Sequence, residues 1–85
     1  MNLVIDIGNT HLKVGLFKSG ILINYSEFYE NYYNNIKNIL QTNQIFHSIV
    51  SNVSKSESKL IELLSNKTKL IHFDSKLKIP FINVY

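Results

Sequence analysis

The chain has 85 residues but no cysteine, arginine or tryptophan, a single proline and three glycines. Without cysteine there is neither a disulfide framework nor a thiolate metal site. Without arginine, nine lysines carry all the basic side-chain charge, and the formal net charge is a mild +3. Sequence-specific nucleic-acid reading favours Arg on a clustered basic face, so the composition argues against a nucleic-acid partner. No apolar run approaches the roughly 20 residues that span a bilayer, so no membrane partner is expected. The N-terminus lacks a basic segment followed by an apolar one and does not read as a signal peptide. The expected location is the cytoplasm. Asparagine is abundant, which reads as compositional drift and not as function.

A hydrophobic content of 45% and evenly spread charge indicate a folded chain with a modest core. Leu3 to Ile7 is a near-continuous apolar run, the pattern of a central strand buried on both faces. Gly8-Asn9-Thr10 is turn chemistry. From His11 to Phe17 the residues alternate, with Leu12, Val14 and Leu16 on one side and Lys13, Gly15 and Phe17 on the other. Ser19-Gly20 signals a tight turn, and Ile21 to Phe28 completes an antiparallel meander. Between Glu30 and Gln41 the period changes. Tyr32, Ile36 and Leu40, joined by Tyr33 and Ile39, predict a helix with one apolar face.

Phe46 to Val50 predicts a short buried strand. Ser54-Lys55-Ser56-Glu57 fits a capping box for a helix that carries Leu60, Ile61, Leu63 and Leu64 and stops near Asn66. Lys69 to Phe73 is a fifth strand. The remainder is extended around Pro80, because the residue before a proline avoids the helical region. The order β-β-β-α-β-α-β implies an α/β fold: a mixed five-stranded sheet with helices available to cover its faces.

Asp6 raises the chemical question. A charge at the edge of an apolar run is costly unless something pairs with it. Two readings fit. In one, Asp6 caps the amides of its own hairpin turn. In the other, it lies at the C-terminal end of the first strand, where open α/β sheets place ligands. There Gly8 lets an anion approach closely, Asn9 and Thr10 supply donors, and Lys13 returns as a point charge. Such a set suits a polyphosphate with its cation or water.

Three stretches carry a resemblance. "VIDIGNTHLKVGLF" resembles the first phosphate loop of the acetate-and-sugar-kinase, heat-shock and actin superfamily. D-I-G-N-T near the N-terminus, followed by Lys13, is most similar to the type III pantothenate kinases. "SIVSNVS", Ser48 to Ser54, resembles that family's strand ending in Ser-Ser-Val or Ser-Asn-Val before a helix. "LKIPFINVY", Leu77 to Tyr85, resembles its Pro-hydrophobic-x-x-x-Tyr segment, whose tyrosine lines the pantothenate pocket.

The resemblance implies a ribonuclease-H-like (actin-like ATPase) half-domain over residues 1–85, with a phosphate loop at 6–13. It implies ATP-phosphate contacts from Asp6, Ile7, Gly8, Asn9, Thr10, His11, Leu12 and Lys13, chiefly Asp6, Gly8, Asn9, Thr10 and Lys13. Tyr85, and with it Val53, would border pantothenate. Family members are much longer, so a second half-domain is expected to be missing here. The general-base Asp of a Gly-x-Asp-Arg motif would lie beyond Tyr85, leaving no catalytic base and no metal site within these residues. The implied activity of the whole protein is transfer of the ATP γ-phosphoryl group to pantothenate, the opening step of coenzyme A synthesis. The implied co-substrate is ATP with magnesium, the implied activator potassium or ammonium, and the implied assembly a homodimer. A non-catalytic homologue, or a free-standing interaction domain of the same fold, is the alternative.

The other candidates read more plainly. His47 and His72 lack metal-ligand spacing and suit packing or exposure. His11 lies inside the loop as an optional neighbour of the phosphates. The aromatic cluster Tyr25 to Tyr33 lacks the interleaved basic residues of a base-stacking surface and reads as a helix entry packed at the sheet edge, or as a surface met by a partner. Ser51, Asn52 and Val53 end the fourth strand on the same edge as Asp6 and could touch substrate. A capped strand–helix turn explains them almost as well.

Overall fold

A computed structural model describes residues 1–8, 10–51 and 57–73. The elements are β1 (Asn2–Ile7), β2 (Leu12–Lys18), β3 (Ile21–Phe28), α1 (Tyr32–Thr42), β4 (His47–Ser51), α2 (Ser58–Lys67) and β5 (Lys69–Phe73). They form one mixed sheet in the order β3-β2-β1-β4-β5. β1 is antiparallel to β2 and parallel to β4, and β4 is parallel to β5. The expected α/β class, mixed sheet and element order are all present.

Local chemistry accounts for the connections. Ser19 and Gly20 both have positive φ, 54° and 78°, as the type I′ hairpin turn between β2 and β3 requires. Asn31 enters α1 in the left-handed region, and the Asn35 side-chain amide donates to the Glu30 and Asn31 carbonyls. Asn43 ends α1, its backbone and side-chain amides both donating to the Ile39 carbonyl. Thr68 ends α2 in the same way, with its N–H and hydroxyl on the Leu64 carbonyl. Ser48 is fully buried in β4, and its hydroxyl meets that of Thr68. Glu57, at the entry to α2, makes no side-chain cap bond to the helix. The expected capping residue Ser54 lies outside the described residues, as do Val53 and the segment from Asp74 to Tyr85.

Both helices cover the same face. Leu3, Ile5, Ile7, Leu12, Val14, Leu16 and Val50 from the sheet pack with Ile36 of α1 and with Leu60, Leu63 and Leu64 of α2. The sequence pattern makes helices available to cover the sheet and leaves open which face each would take. The reason they share one is chirality. The crossovers β3–α1–β4 and β4–α2–β5 step in the same direction across the sheet, so right-handed connections place both helices on one side. On the other face Val4 is buried among Phe17, Leu22, Tyr25 and Ile49, and no described helix residue joins that cluster.

The alternation expected in β2 is present: Leu12, Val14 and Leu16 are buried, while Lys13 and Phe17 are half-buried. Phe46 departs from expectation. It precedes β4 and is 56% exposed, although its N–H bonds the Met1 carbonyl and its carbonyl accepts from Lys69. Those bonds extend the β1–β4–β5 ladder by one position. His47 and His72 are exposed, as read from their isolation.

Leu64 is fully buried where α2 meets the sheet. Leu64→Ala is expected to lower unfolding stability by about 2–5 kcal/mol. Urea unfolding should show a reduced midpoint at unchanged slope, with Ile23→Ala, at a half-exposed edge position, changing it little.

Candidate active site: the loop between β1 and β2

The polar residues of the loop converge because of strand register. Asp6 stands opposite Lys13 on β2 and beside Ser51 on β4. Lys13 in turn stands opposite Glu27 on β3. One row therefore runs Glu27, Lys13, Asp6, Ser51 across four strands, at the end of the sheet where parallel β1 and β4 both finish. Ligands of open α/β sheets bind at the carboxyl ends of the strands.

The Asp6 side chain is half-buried and accepts a 2.7 Å hydrogen bond from the Ser51 hydroxyl, which is 3% exposed. A buried donor with a charged acceptor makes one of the stronger kinds of hydrogen bond. It offsets the cost of removing the carboxylate from water and fixes one carboxylate oxygen. Asp6 is thus held across strands, by a residue 45 positions away, in addition to any contact with its own turn.

The loop itself is a two-residue connection. The Gly8 N–H donates to the His11 carbonyl at 2.9 Å, continuing the β1–β2 ladder one pair beyond Ile7 and Leu12. A Cβ at Gly8 would lie 3.0 Å from that same carbonyl oxygen. Glycine relieves the crowding that a Cβ would bring where backbone approaches backbone. Its N–H is used by the hairpin, so an incoming anion would meet Thr10 and Lys13 before it met that amide. Ile7 and Leu12, flanking the loop, are buried in the core at 6% and 0% exposure. Any contact they make with a ligand runs through backbone atoms. Asn9 and Tyr85 lie outside the described residues.

His11 is more constrained than an optional neighbour would be. Its Nε2 is 3.0 Å from Glu27 Oε1, and its Nδ1 is 3.1 Å from the Thr10 hydroxyl. Its ring stacks on Tyr29 with centroids 5.1 Å apart. Glu27 and Tyr29 were not singled out from the sequence. Tyr29 belongs to the aromatic cluster, of which Phe28 and Tyr32 lie against the core and Tyr25 against Val4, while Tyr29 and Tyr33 are exposed.

No other described feature competes for the chemistry. A groove of about 620 Å³ between α1 and α2 is lined by Tyr33, Asn34, Lys59, Glu62, Leu63, Asn66 and Lys67. It contains none of the loop residues, and its charged side chains are the solvated rims of two helices. Among the described residues no cluster of three His, Asp or Glu side chains could hold a metal by itself. No described helix is long and apolar enough to cross a membrane.

No family model matches the chain, and no solved structure does. A type III pantothenate kinase from Flavobacterium psychrophilum is 36% identical over 87 aligned positions, covering the entire chain. The type III pantothenate kinase of Christiangramia forsetii is 33% identical over the same extent. Over its whole length the chain matches the N-terminal portion of type III pantothenate kinases. The chain spans 36% of the length of each of these curated relatives.

Gly8→Ala is expected to strain the hairpin, because the carbonyl it would press is pinned by the Gly8 N–H itself. A loss of about 1–3 kcal/mol, the usual cost of overpacking, should appear as a lowered thermal midpoint.

Proposed function

We propose that the chain is the N-terminal, ribonuclease-H-like (actin-like ATPase) half-domain of a type III pantothenate kinase, and that its β1–β2 loop holds the phosphates of ATP. The observation that carries this reading is the row Lys13, Asp6, Ser51 at the end of parallel β1 and β4, next to a glycine where a Cβ would crowd the His11 carbonyl. Whole-chain similarity to two proteins of that name supports it.

In phosphoryl transfer the protein chiefly positions groups and neutralises charge. Lys13 supplies a point charge to phosphate oxygens. The Thr10 hydroxyl and the Asn9-Thr10 amides supply donors. Asp6, oriented by Ser51, faces the cation that accompanies the nucleotide. Magnesium fits this donor set, since it is commonly held by one or two carboxylates together with phosphates and water. Bound there it would neutralise phosphate charge. Potassium or ammonium, the pantothenate-contacting Tyr85 and Val53, and dimer formation are carried over from the resemblance. The general base for the pantothenate hydroxyl is assigned to sequence beyond Tyr85. Cytoplasmic location follows from the same reading.

Two outcomes are expected. The 85-residue chain alone gives no turnover in a coupled assay with ATP, pantothenate and a potassium or ammonium salt. General base catalysis is typically worth about 10²–10⁴-fold, and with the base half of the cleft is also lost. Turnover above a boiled control would contradict this. In the full-length protein, Asp6→Asn should remove most of kcat, by about a hundredfold or more, through loss of oriented charge at the phosphates. Wild-type kcat in that variant would show that Asp6 serves only the hairpin.

A further inference from the structure

His11 bridges two groups of different character. On one side Nε2 meets the Glu27 carboxylate at 3.0 Å; on the other Nδ1 meets the Thr10 hydroxyl at 3.1 Å. A carboxylate accepts only, so in the neutral imidazole the Nε2 nitrogen carries the proton and Nδ1 is the acceptor. The Thr10 hydroxyl must then donate to Nδ1. Its single proton is committed, and only its oxygen lone pairs face outward, the wrong polarity for an anion.

Protonation of the ring reverses this. With both nitrogens carrying protons, Nδ1–H donates to the Thr10 oxygen, and the hydroxyl proton is released to point elsewhere. One proton from solvent enters the imidazole and no other bond changes. The ring is partly accessible, with 23% of its side chain exposed, so exchange with solvent is open.

We propose that His11 is a positioning residue that sets whether Thr10 donates to or repels an anion at the loop, so that phosphate binding takes up a proton on His11. This rests on the reading of the loop as a phosphate site. The surrounding charges frame the effect. Glu27 from β3 directly stabilises the imidazolium. Asp6 on β1 acts in the same sense from further along the row. Lys13 on β2, opposite both Asp6 and Glu27 in register, opposes it, and the Tyr29 ring stacks on the imidazole without adding charge at neutral pH.

The test is binding of MgATP to the full-length protein by calorimetry between about pH 6 and 8.5, in wild type, His11→Gln and Thr10→Val. Magnesium keeps the nucleotide phosphates ionised over this range, so the titration belongs to the protein. Wild type should bind about tenfold tighter at the acid end, because a donated hydroxyl bond to an anion replaces a lone-pair repulsion. Both variants should show flat profiles. Gln at 11 cannot gain a proton, and Val at 10 has no hydroxyl to turn. A pH dependence that persists in Thr10→Val would show simple charge attraction by the imidazolium and overturn the proposal. So would a flat wild-type profile, which would leave the phosphate site itself standing. Absence of MgATP binding by wild type at every pH would instead remove the phosphate site, and the proposal with it. Nitrogen NMR of the ring in the free chain at pH 8.5 gives a second check. The Nε2–H form is required, and the Nδ1–H form would contradict it.

Discussion

Everything at the candidate site depends on β1 being paired on both sides in one register. Leu3, Ile5 and Ile7 face the helices and are buried. A slip of one residue would turn Asp6 into that core and these three outward, since side chains alternate along a strand. Burial of the apolar set therefore fixes where the carboxylate stands. The antiparallel neighbour supplies Lys13, and the parallel neighbour supplies Ser51. A parallel pairing needs a crossover, so Ser51 reaches Asp6 only because β3, α1 and the return into β4 fold as a unit.

This arrangement couples stability to chemistry. The Ser51 hydroxyl offsets the desolvation of Asp6, and the bond orients the carboxylate at no further conformational cost to a ligand. Gly8 then closes the hairpin within hydrogen-bond distance of His11, so the loop is short and its donors are near the strand ends. The buried side chains of Ile7 and Leu12 anchor the loop from below. Rigid strands supporting a two-residue tip suit a site whose task is to hold charge in place.

Much of the fold was legible in the residues. The bounds of β3 and β5 follow directly from β-branched and aromatic runs punctuated by Ser19-Gly20 and Thr68. The helix faces follow from the spacing of Ile36, Leu60, Leu63 and Leu64. Asp6, Gly8, Thr10 and Lys13 were visible as a cluster because they are close in sequence. What could not be read was register. Counting back from the Ser19-Gly20 turn pairs Lys13 with Ser26, but an irregularity between Leu16 and Phe17 shifts the ladder by one and brings Glu27 opposite Lys13 instead. A bulge has no compositional mark here, so the Glu27–His11–Thr10 chain was hidden. The single-sided placement of the helices was hidden for a related reason, since it follows from strand order and not from the content of either helix.

The account turns on the β1–β2 loop, and not the groove between the helices, being where the nucleotide lies. The most direct measurement is the backbone amide NMR spectrum of the isotope-labelled chain as MgATP is added. The predicted result is movement of the Gly8, Thr10, Lys13 and Ser51 signals, with Tyr33, Asn34, Glu62 and Asn66 unchanged. Movement confined to those four helix residues, or a titration that leaves the loop signals still, would contradict it.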